Sequence, residues 1–231
     1  MAHRLPLLQS LALREGTWES VNRAIRERLR VRLSRDPQPS AGVVDSQSVK
    51  STAVGGEDRG YDGGKKVEGR KRHILVDTEG FVLKARVRSA KVMDYQGIKT
   101  LLRRANEQFP RLRHLWLEAG YRGEDKGADW VEKTLGWSVD LLERPRKPAP
   151  EEVLRAWAAE WAKEGVTVDW QRLLPPKGFL VLPRRWVVER TFSWIEKNRR
   201  MSKDYERLCA SGEAFVYAAM IRLMTRRLTH L

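Results

Sequence analysis

The stretch His73-Ile-Leu-Val-Asp-Thr-Glu-Gly-Phe-Val-Leu-Lys-Ala-Arg-Val87 decides the fold. Two apolar runs, His73 to Asp77 and Phe81 to Val87, flank Thr78-Glu79-Gly80, a good hairpin turn. In the second run Val82, Leu83, Ala85 and Val87 alternate with Lys84, Arg86 and Arg88, which predicts one wet face. Upstream, Ala41-Gly-Val-Val-Asp-Ser46 reads as a short buried strand ending at an acid. Residues 51–69 between them are rich in glycine and charge, bury little, and read as a mobile surface loop.

Downstream the pattern changes period. Asp94 to Gln108 reads as a helix with Ile98, Leu101, Leu102 and Ala105 on one stripe. His114 to Glu118 is a strand, Asp125 to Leu135 a helix, and Trp137 to Leu142 a further strand. A proline-punctuated connector, 143–150, leads to a Trp- and Ala-rich helix, Glu151 to Lys163, and then to an irregular segment, 165–183, containing Pro175-Pro176. Two helices close the chain, from Arg185 to about Arg199 and from Gly212 to about Arg227. Upstream of everything, Thr17 to Leu33 is helical, and Asp36 to Ser40 is a linker. Consecutive strands joined by hairpins pair antiparallel, whereas strands reached through helices add in parallel by right-handed crossovers. The expectation is an α/β fold: a mixed five-stranded sheet flanked by helices in the ribonuclease-H-like order.

Composition bounds the function. Among 231 residues, 45 Lys and Arg against 30 Asp and Glu give a net charge of +15. Hydrophobic residues make up 41% and tryptophan occurs nine times, which excludes a disordered basic tail. The apolar runs are too short for a transmembrane helix, and the N-terminus lacks a secretory pattern. The single cysteine, Cys209, cannot form an internal disulfide, so a reducing cytoplasm is the expected setting. Excess positive charge on a folded chain points to a polyanion, nucleic acid first and an anionic membrane surface second.

Three acids stand out by position: Asp45 and Glu118 at strand ends, and Glu189 in a helix. In the expected sheet the first and fourth strands are central neighbours, which brings Asp45 and Glu118 within reach of one divalent cation. A helix across the sheet adds Glu189. Clustered carboxylates need a cation or protonation, and oxygen donors suit Mg²⁺ or Mn²⁺. Two such ions are the usual device for in-line phosphodiester chemistry. An acid at a strand end is also, ordinarily, a solvated turn residue, and both readings stand on the residues alone. Asp77, beside the tight turn, reads as structural. His73 reads as packed at a strand start rather than as a proton-transfer group. The last helix reads as packing or dimer surface rather than as a DNA reader.

Longer motifs add to this. They are Asp45-Ser-Gln-Ser-Val-Lys50, Arg59-Gly-Tyr-Asp-Gly-Gly-Lys-Lys66, Gly69-Arg-Lys-Arg-His-Ile-Leu-Val-Asp77, Glu118-Ala-Gly-Tyr-Arg-Gly123, Leu182-Pro-Arg-Arg-Trp-Val-Val-Glu-Arg-Thr-Phe-Ser-Trp194 and Arg199-Arg-Met-Ser-Lys-Asp-Tyr-Glu206. In this order they resemble the bacterial insertion-sequence transposases of the IS-five family, a branch of the DDE superfamily with a ribonuclease-H-like catalytic domain. The resemblance runs from about Trp18 to the C-terminus. It implies that Asp45, Glu118 and Glu189 are the catalytic and metal-binding acids, with two Mg²⁺ or Mn²⁺ ions as cofactor. Arg185 matches the arginine four residues before the final Glu in a related signature, Tyr-Arg-Glu-Lys. Its tyrosine position is Leu182 here and its lysine position Glu196, so that signature is half kept.

The resemblance further implies hydrolysis at transposon ends and transfer of the freed 3′-hydroxyl into target DNA. Lys65, Lys66, Arg70, Lys71, Arg72, Arg184, Arg185, Arg190, Arg199, Arg200 and Lys203 are the expected phosphate contacts. The implied partners are double-stranded DNA and a homodimer or larger synaptic assembly, with no membrane and no small-molecule substrate. The expected organisation is an N-terminal helical segment over 1–36, a remnant of a DNA-recognition region, and a catalytic domain over 37–231 with an insertion at 143–183. Two departures qualify the match. Glu118 stands where the family pattern has Asp, and the DNA-recognition front of full-length relatives is missing. They leave an alternative, a catalytically impaired truncated product that binds DNA or a longer transposase and regulates transposition.

Overall fold

The computed structural model describes residues 16–53, 56–143, 149–173 and 184–230. The extreme N-terminus, most of the proline-punctuated connector and the Pro175-Pro176 stretch lie outside the described residues. The helices are α1 (Thr17–Arg32), α2 (Asp94–Leu101), α3 (Ala105–Gln108), α4 (Gly127–Leu135), α5 (Glu151–Lys163), α6 (Arg185–Glu196) and α7 (Cys209–His230). The strands are β1 (Ala41–Lys50), β2 (Gly60–Asp62), β3 (Val67–Asp77), β4 (Val82–Ser89), β5 (His114–Glu118) and β6 (Ser138–Leu142). The chain divides into two units, one of Met1–Leu142 with Pro183–Leu231 and one of Glu143–Leu182. Within the second, α5 buries Leu154, and Arg155 stacks 5.3 Å from the centre of the Trp170 ring.

The first unit is built on a mixed sheet. β1 pairs antiparallel with β3, β3 with β4, and β1 and β5 then β5 and β6 pair in parallel. That is the expected order, with β1 central. It gains a sixth strand, because β2 pairs Gly60 to Asp62 with Gly69 to Val67 on the edge of β3 that β4 continues. Gly69 is squeezed between β1 and β2, where a Cβ would stand 2.1 Å from the Val49 carbonyl oxygen. Only glycine fits there.

Alternation along β1 divides the core. Val43 faces a layer formed by Leu29 of α1, Val187, Val188 and Phe192 of α6, and Val216 and Met220 of α7. Val44 faces the other layer, with Ile98 and Leu101 of α2 and Val131 of α4. Period-two geometry then puts Asp45 on the α6 side.

Asp45, expected at a strand end, lies inside β1, which runs on to Lys50, and the loop expected over 51–69 holds β2 and the first residues of β3, because pairing with β3 extends both. Two further expectations fail in part, both for tertiary reasons. β4 has no wet face. Lys84 is 2% exposed, donating to the Arg103 carbonyl at 2.9 Å and to Gln108 Oε1 at 2.6 Å. Along the strand edge Glu213 of α7 accepts from the Val87 N–H at 3.0 Å and pairs with Arg86 at 2.9 Å. The continuous helix expected over 94–108 breaks at Arg104, which adopts φ 58° and leaves the Arg103 carbonyl to the buried Lys84 ammonium.

Asp77 is structural, as its turn position predicted. It is fully buried, pairs with Arg30 of α1 at 2.5 Å and accepts the N–H groups of Glu79 and Phe81. His73 is also fully buried, its ring held so closely under Gly97 that a Cβ there would lie 2.1 Å from it. Burial lowers its pKa to about 4, so it is a neutral packing residue.

Candidate active site

The parallel ladder of β1 and β5 pairs Ala41 with His114, Gly42 with Leu115 and Val43 with Trp116. Carried two residues further, the same register brings Asp45 level with Glu118 on strands about 4.8 Å apart. Burial, and then the charge of Glu118, push the Asp45 carboxyl up to about 7. The Ser46 N–H, 2.7 Å from Asp45 Oδ1, opposes this in part, and so does Arg185. A carboxyl whose proton affinity rises through a second carboxylate's charge lies close to it without full compensation.

α6 supplies the third acid. Val187, Val188, Thr191, Phe192 and Ile195 dock it on the sheet, which turns Arg185 and Glu189 outward on one face, a helical turn apart. Arg185 Nη2 lies 2.7 Å from Glu118 Oε1, and its Nε lies 3.0 Å from Glu189 Oε1. The guanidinium therefore clasps two of the three acids and moderates the third. Its side chain is 21% exposed, so this is more than a solvated surface pair.

One acid escaped the sequence reading. Asp94, at the start of α2, accepts from Ser46 Oγ at 2.6 Å and pairs with Lys71 at 3.1 Å. Its charge adds to the upward push on Asp45. The only sequence signal was its place in a first helical turn, where acids are common anyway. Tyr121, in the one-turn 3₁₀ segment after β5, is 2% exposed, and its hydroxyl has no hydrogen-bond partner among the described residues. Burial, then the charges of Asp45, Asp94 and Glu118, raise its pKa well above the ordinary value.

Among the described residues, no three His, Cys, Asp or Glu side chains form a ready-made metal cluster. Asp45 and Glu118 are adjacent, while Glu189 is held through Arg185. The donor chemistry nevertheless fits a hard divalent cation. All donors are oxygens, burial and then the charge of Glu118 raise the Asp45 carboxyl to about 7, and, among the described residues, the only positive charge in ion-pair contact with Glu118 and Glu189 is one arginine.

The expected phosphate contacts separate into two groups. Lys65 and Lys66, in the β2–β3 turn, are exposed, as are Arg184, Arg199, Arg200 and Lys203. Arg184 stacks 4.8 Å from the centre of the Trp116 ring, and Arg200 pairs with Glu206 at 2.7 Å. Arg190 stacks on Trp186 and Trp194 and donates to the Glu79 carbonyl, so it is largely engaged. Arg70, Lys71 and Arg72 correct the expectation, since all three are 5% exposed or less. Arg70 binds Asp204 and the Glu57, Glu206 and Arg207 carbonyls, Lys71 pairs with Asp62 and Asp94, and Arg72 donates to the Met201 carbonyl. They read as a basic run because their partners lie far away in the sequence.

A family model described as the transposase DDE domain matches residues 36–224. The chain belongs to the DDE transposase family. Three solved structures are similar at a looser level. The catalytic domain of Mos1 mariner transposase is 13% identical, with 93% of this chain and 91% of that one covered, at a TM-score of 0.32. The Mos1 paired-end complex with the left transposon end and the Mos1 paired-end complex with Mn are each 14% identical at a TM-score of 0.29. This transposase-family chain spans 61% of the length of the latter two. No curated protein matches it significantly. The span matched to the transposase family contains Asp45, Glu118, Arg185 and Glu189 and leaves α1 outside.

Proposed function

We propose that this transposase-family chain cuts DNA at transposon ends by divalent-metal-dependent phosphodiester hydrolysis and joins the freed 3′-hydroxyl to target DNA. Asp45, Glu118 and Glu189 are the catalytic carboxylates. The observation that carries the reading is their convergence from remote parts of the sequence, with Arg185 as the clasp. Mg²⁺ or Mn²⁺, held by these three carboxylates, would polarise the attacking and departing oxygens.

The chain's own groups do the rest. Arg185 is a planar donor that matches a phosphate as well as a carboxylate. A DNA phosphate drawing it away frees Glu118 and Glu189 together. Lys65, Lys66, Arg184, Arg199, Arg200 and Lys203 position the duplex through its backbone, without reading sequence. The motifs from Asp45 to Glu206 favour the IS-five branch. Handling two DNA ends together calls for a homodimer or larger assembly.

The test is Mn²⁺-dependent nicking of a duplex carrying the element's ends. Wild type should cut and Glu189→Gln should not; equal cutting by both removes the assignment. One observation favours a second reading, a regulator with impaired catalysis. Glu118 has an extra methylene relative to the family's Asp and is tied to Arg185 at 2.7 Å. Mg²⁺ demands near-ideal octahedral geometry, so the longer arm carries a cost unless the backbone absorbs it. Faster cutting by Glu118→Asp than by wild type supports impairment, and equal cutting refutes it.

A further inference from the structure

A cleft of about 530 Å³ opens where the residues that end α1 and α6 meet the last half of α7. Five of its lining residues are basic, namely Lys197, Arg222, Arg226, Arg227 and His230, and none is acidic. Elsewhere on this unit cations are commonly paired: Arg30 with Asp77, Arg86 with Glu213, Arg200 with Glu206. No ion pair to Lys197, Arg222, Arg226 or Arg227 occurs among the described residues; Arg222 donates only to Asn198 Oδ1, at 2.9 Å. Burial lowers the pKa of Arg227, which stacks 4.4 Å from the centre of the Trp194 ring.

The C-terminal end of α7 favours Arg227, but the Arg222–Arg226 pair has no such support. Arg222 and Arg226 are four residues apart on α7, where like charges repel and destabilise the helix. A wet helix face usually mixes signs at that spacing. Here the cations ring a concavity floored by Leu33, Trp194 and Leu223. Several cations without an ion-pair partner among the described residues, around one open cleft, suit an extended polyanion better than a single small anion. The cleft also continues from the catalytic helix. Lys197 lies eight residues beyond Glu189, about 12 Å at 1.5 Å per residue. That is three to four steps along a DNA strand at about 3.4 Å each.

We infer that this cleft binds the phosphodiester backbone of duplex DNA beside the cleaved bond, as a second DNA-holding surface built by α7. The inference rests on the proposed function and adds to it a surface outside the catalytic acids. It gives α7, which packs on the sheet as expected, a backbone-holding role on its outer face that the sequence did not suggest.

The test is fluorescence anisotropy of the full chain with a labelled 30-bp duplex of arbitrary sequence, in EDTA to prevent cutting, over a salt series. Arg222→Glu/Arg226→Glu should bind at least about tenfold more weakly. Its log–log salt slope should shrink by about 2, near 0.9 for each phosphate that is no longer neutralised. Arg222→Lys/Arg226→Lys should bind nearly as wild type does. Arg104→Glu/Lys133→Glu, which makes the same change in net charge at exposed sites elsewhere, should also bind nearly normally. Equal weakening in that control reduces the effect to net charge and overturns the cleft. Should the glutamate variant melt early, Arg222→Gln/Arg226→Gln replaces it, with the slope as readout.

Wild-type binding with an unchanged affinity and slope in the cleft variant overturns this inference and leaves the proposed function standing. Loss of self-association with DNA affinity intact overturns it in favour of a protein partner. If wild type binds no duplex at all, the proposed function itself fails.

Discussion

Replacing Asp45 by Asn tests the electrostatics of the site without any metal or DNA. In the folded chain the Asp45 carboxyl is pushed up from 3.8 to about 7, by burial first and then by Glu118. A raised carboxyl pKa means that the folded state holds the proton more tightly than the unfolded one. Asp45 therefore costs little below its unfolded pKa, costs more as pH rises, and reaches its full cost above the folded pKa. About three pKa units correspond to about 4 kcal/mol, and relaxation of the site brings the expectation to about 2–4 kcal/mol. For a chain of this size that is roughly 5–15 °C in Tm.

The assay is thermal melting of wild type and Asp45→Asn in EDTA from pH 4 to pH 9. The variant's advantage should open between pH 4 and pH 7 and then stay constant. Adding Mn²⁺ at pH 8 should raise the wild-type Tm and leave the variant's nearly unchanged. A gap that is flat with pH, or a variant less stable at pH 8, would refute the claim that Asp45 and Glu118 crowd each other.

Three further outcomes follow from the same structure. Arg30→Ala strands the fully buried Asp77 without its cation and should cost about 3–5 kcal/mol by denaturant unfolding; a loss under about 1 kcal/mol contradicts the buried pair. Gly97→Ala drives a methyl into the His73 ring and should cost about 1–3 kcal/mol, with His73→Ala in the same chain recovering part of it. Arg185→Gln should lower stability by less than about 1 kcal/mol, because its partners are 33% and 51% exposed. It should also move upward the pH at which the Asp45→Asn advantage levels off, since Arg185 favours the ionised Asp45 in the folded chain. An unchanged midpoint would detach Arg185 from the site.

The parts of the fold legible in the sequence were those set by local chemistry. The Thr78-Glu79-Gly80 turn separated β3 from β4, and helical periodicity placed α4 and α5. The adjacency of Asp45 and Glu118 followed from topology alone, because the crossovers leave β1 and β5 side by side. What stayed hidden depended on partners remote in the chain. Arg70, Lys71, Arg72 and Lys84 look like solvent-facing cations until Asp204, Asp62 and the Met201 and Arg103 carbonyls are brought to them. β2 was hidden in a glycine-rich run, because three residues are too few for a period. Asp94 gave no sign of its approach to Ser46, and the convergence of α7's arginines with Lys197 needed the packing of two helices.

The most direct test of the carboxylate site substitutes Fe²⁺ for Mg²⁺ and adds peroxide and ascorbate, so that hydroxyl radicals cut the polypeptide beside the bound ion. Mass spectrometry of the fragments should place the cuts near Asp45, Glu118 and Glu189, more strongly with DNA present, and Asp45→Asn should abolish them. Cutting elsewhere, or cutting at these positions that survives Asp45→Asn, would contradict the account.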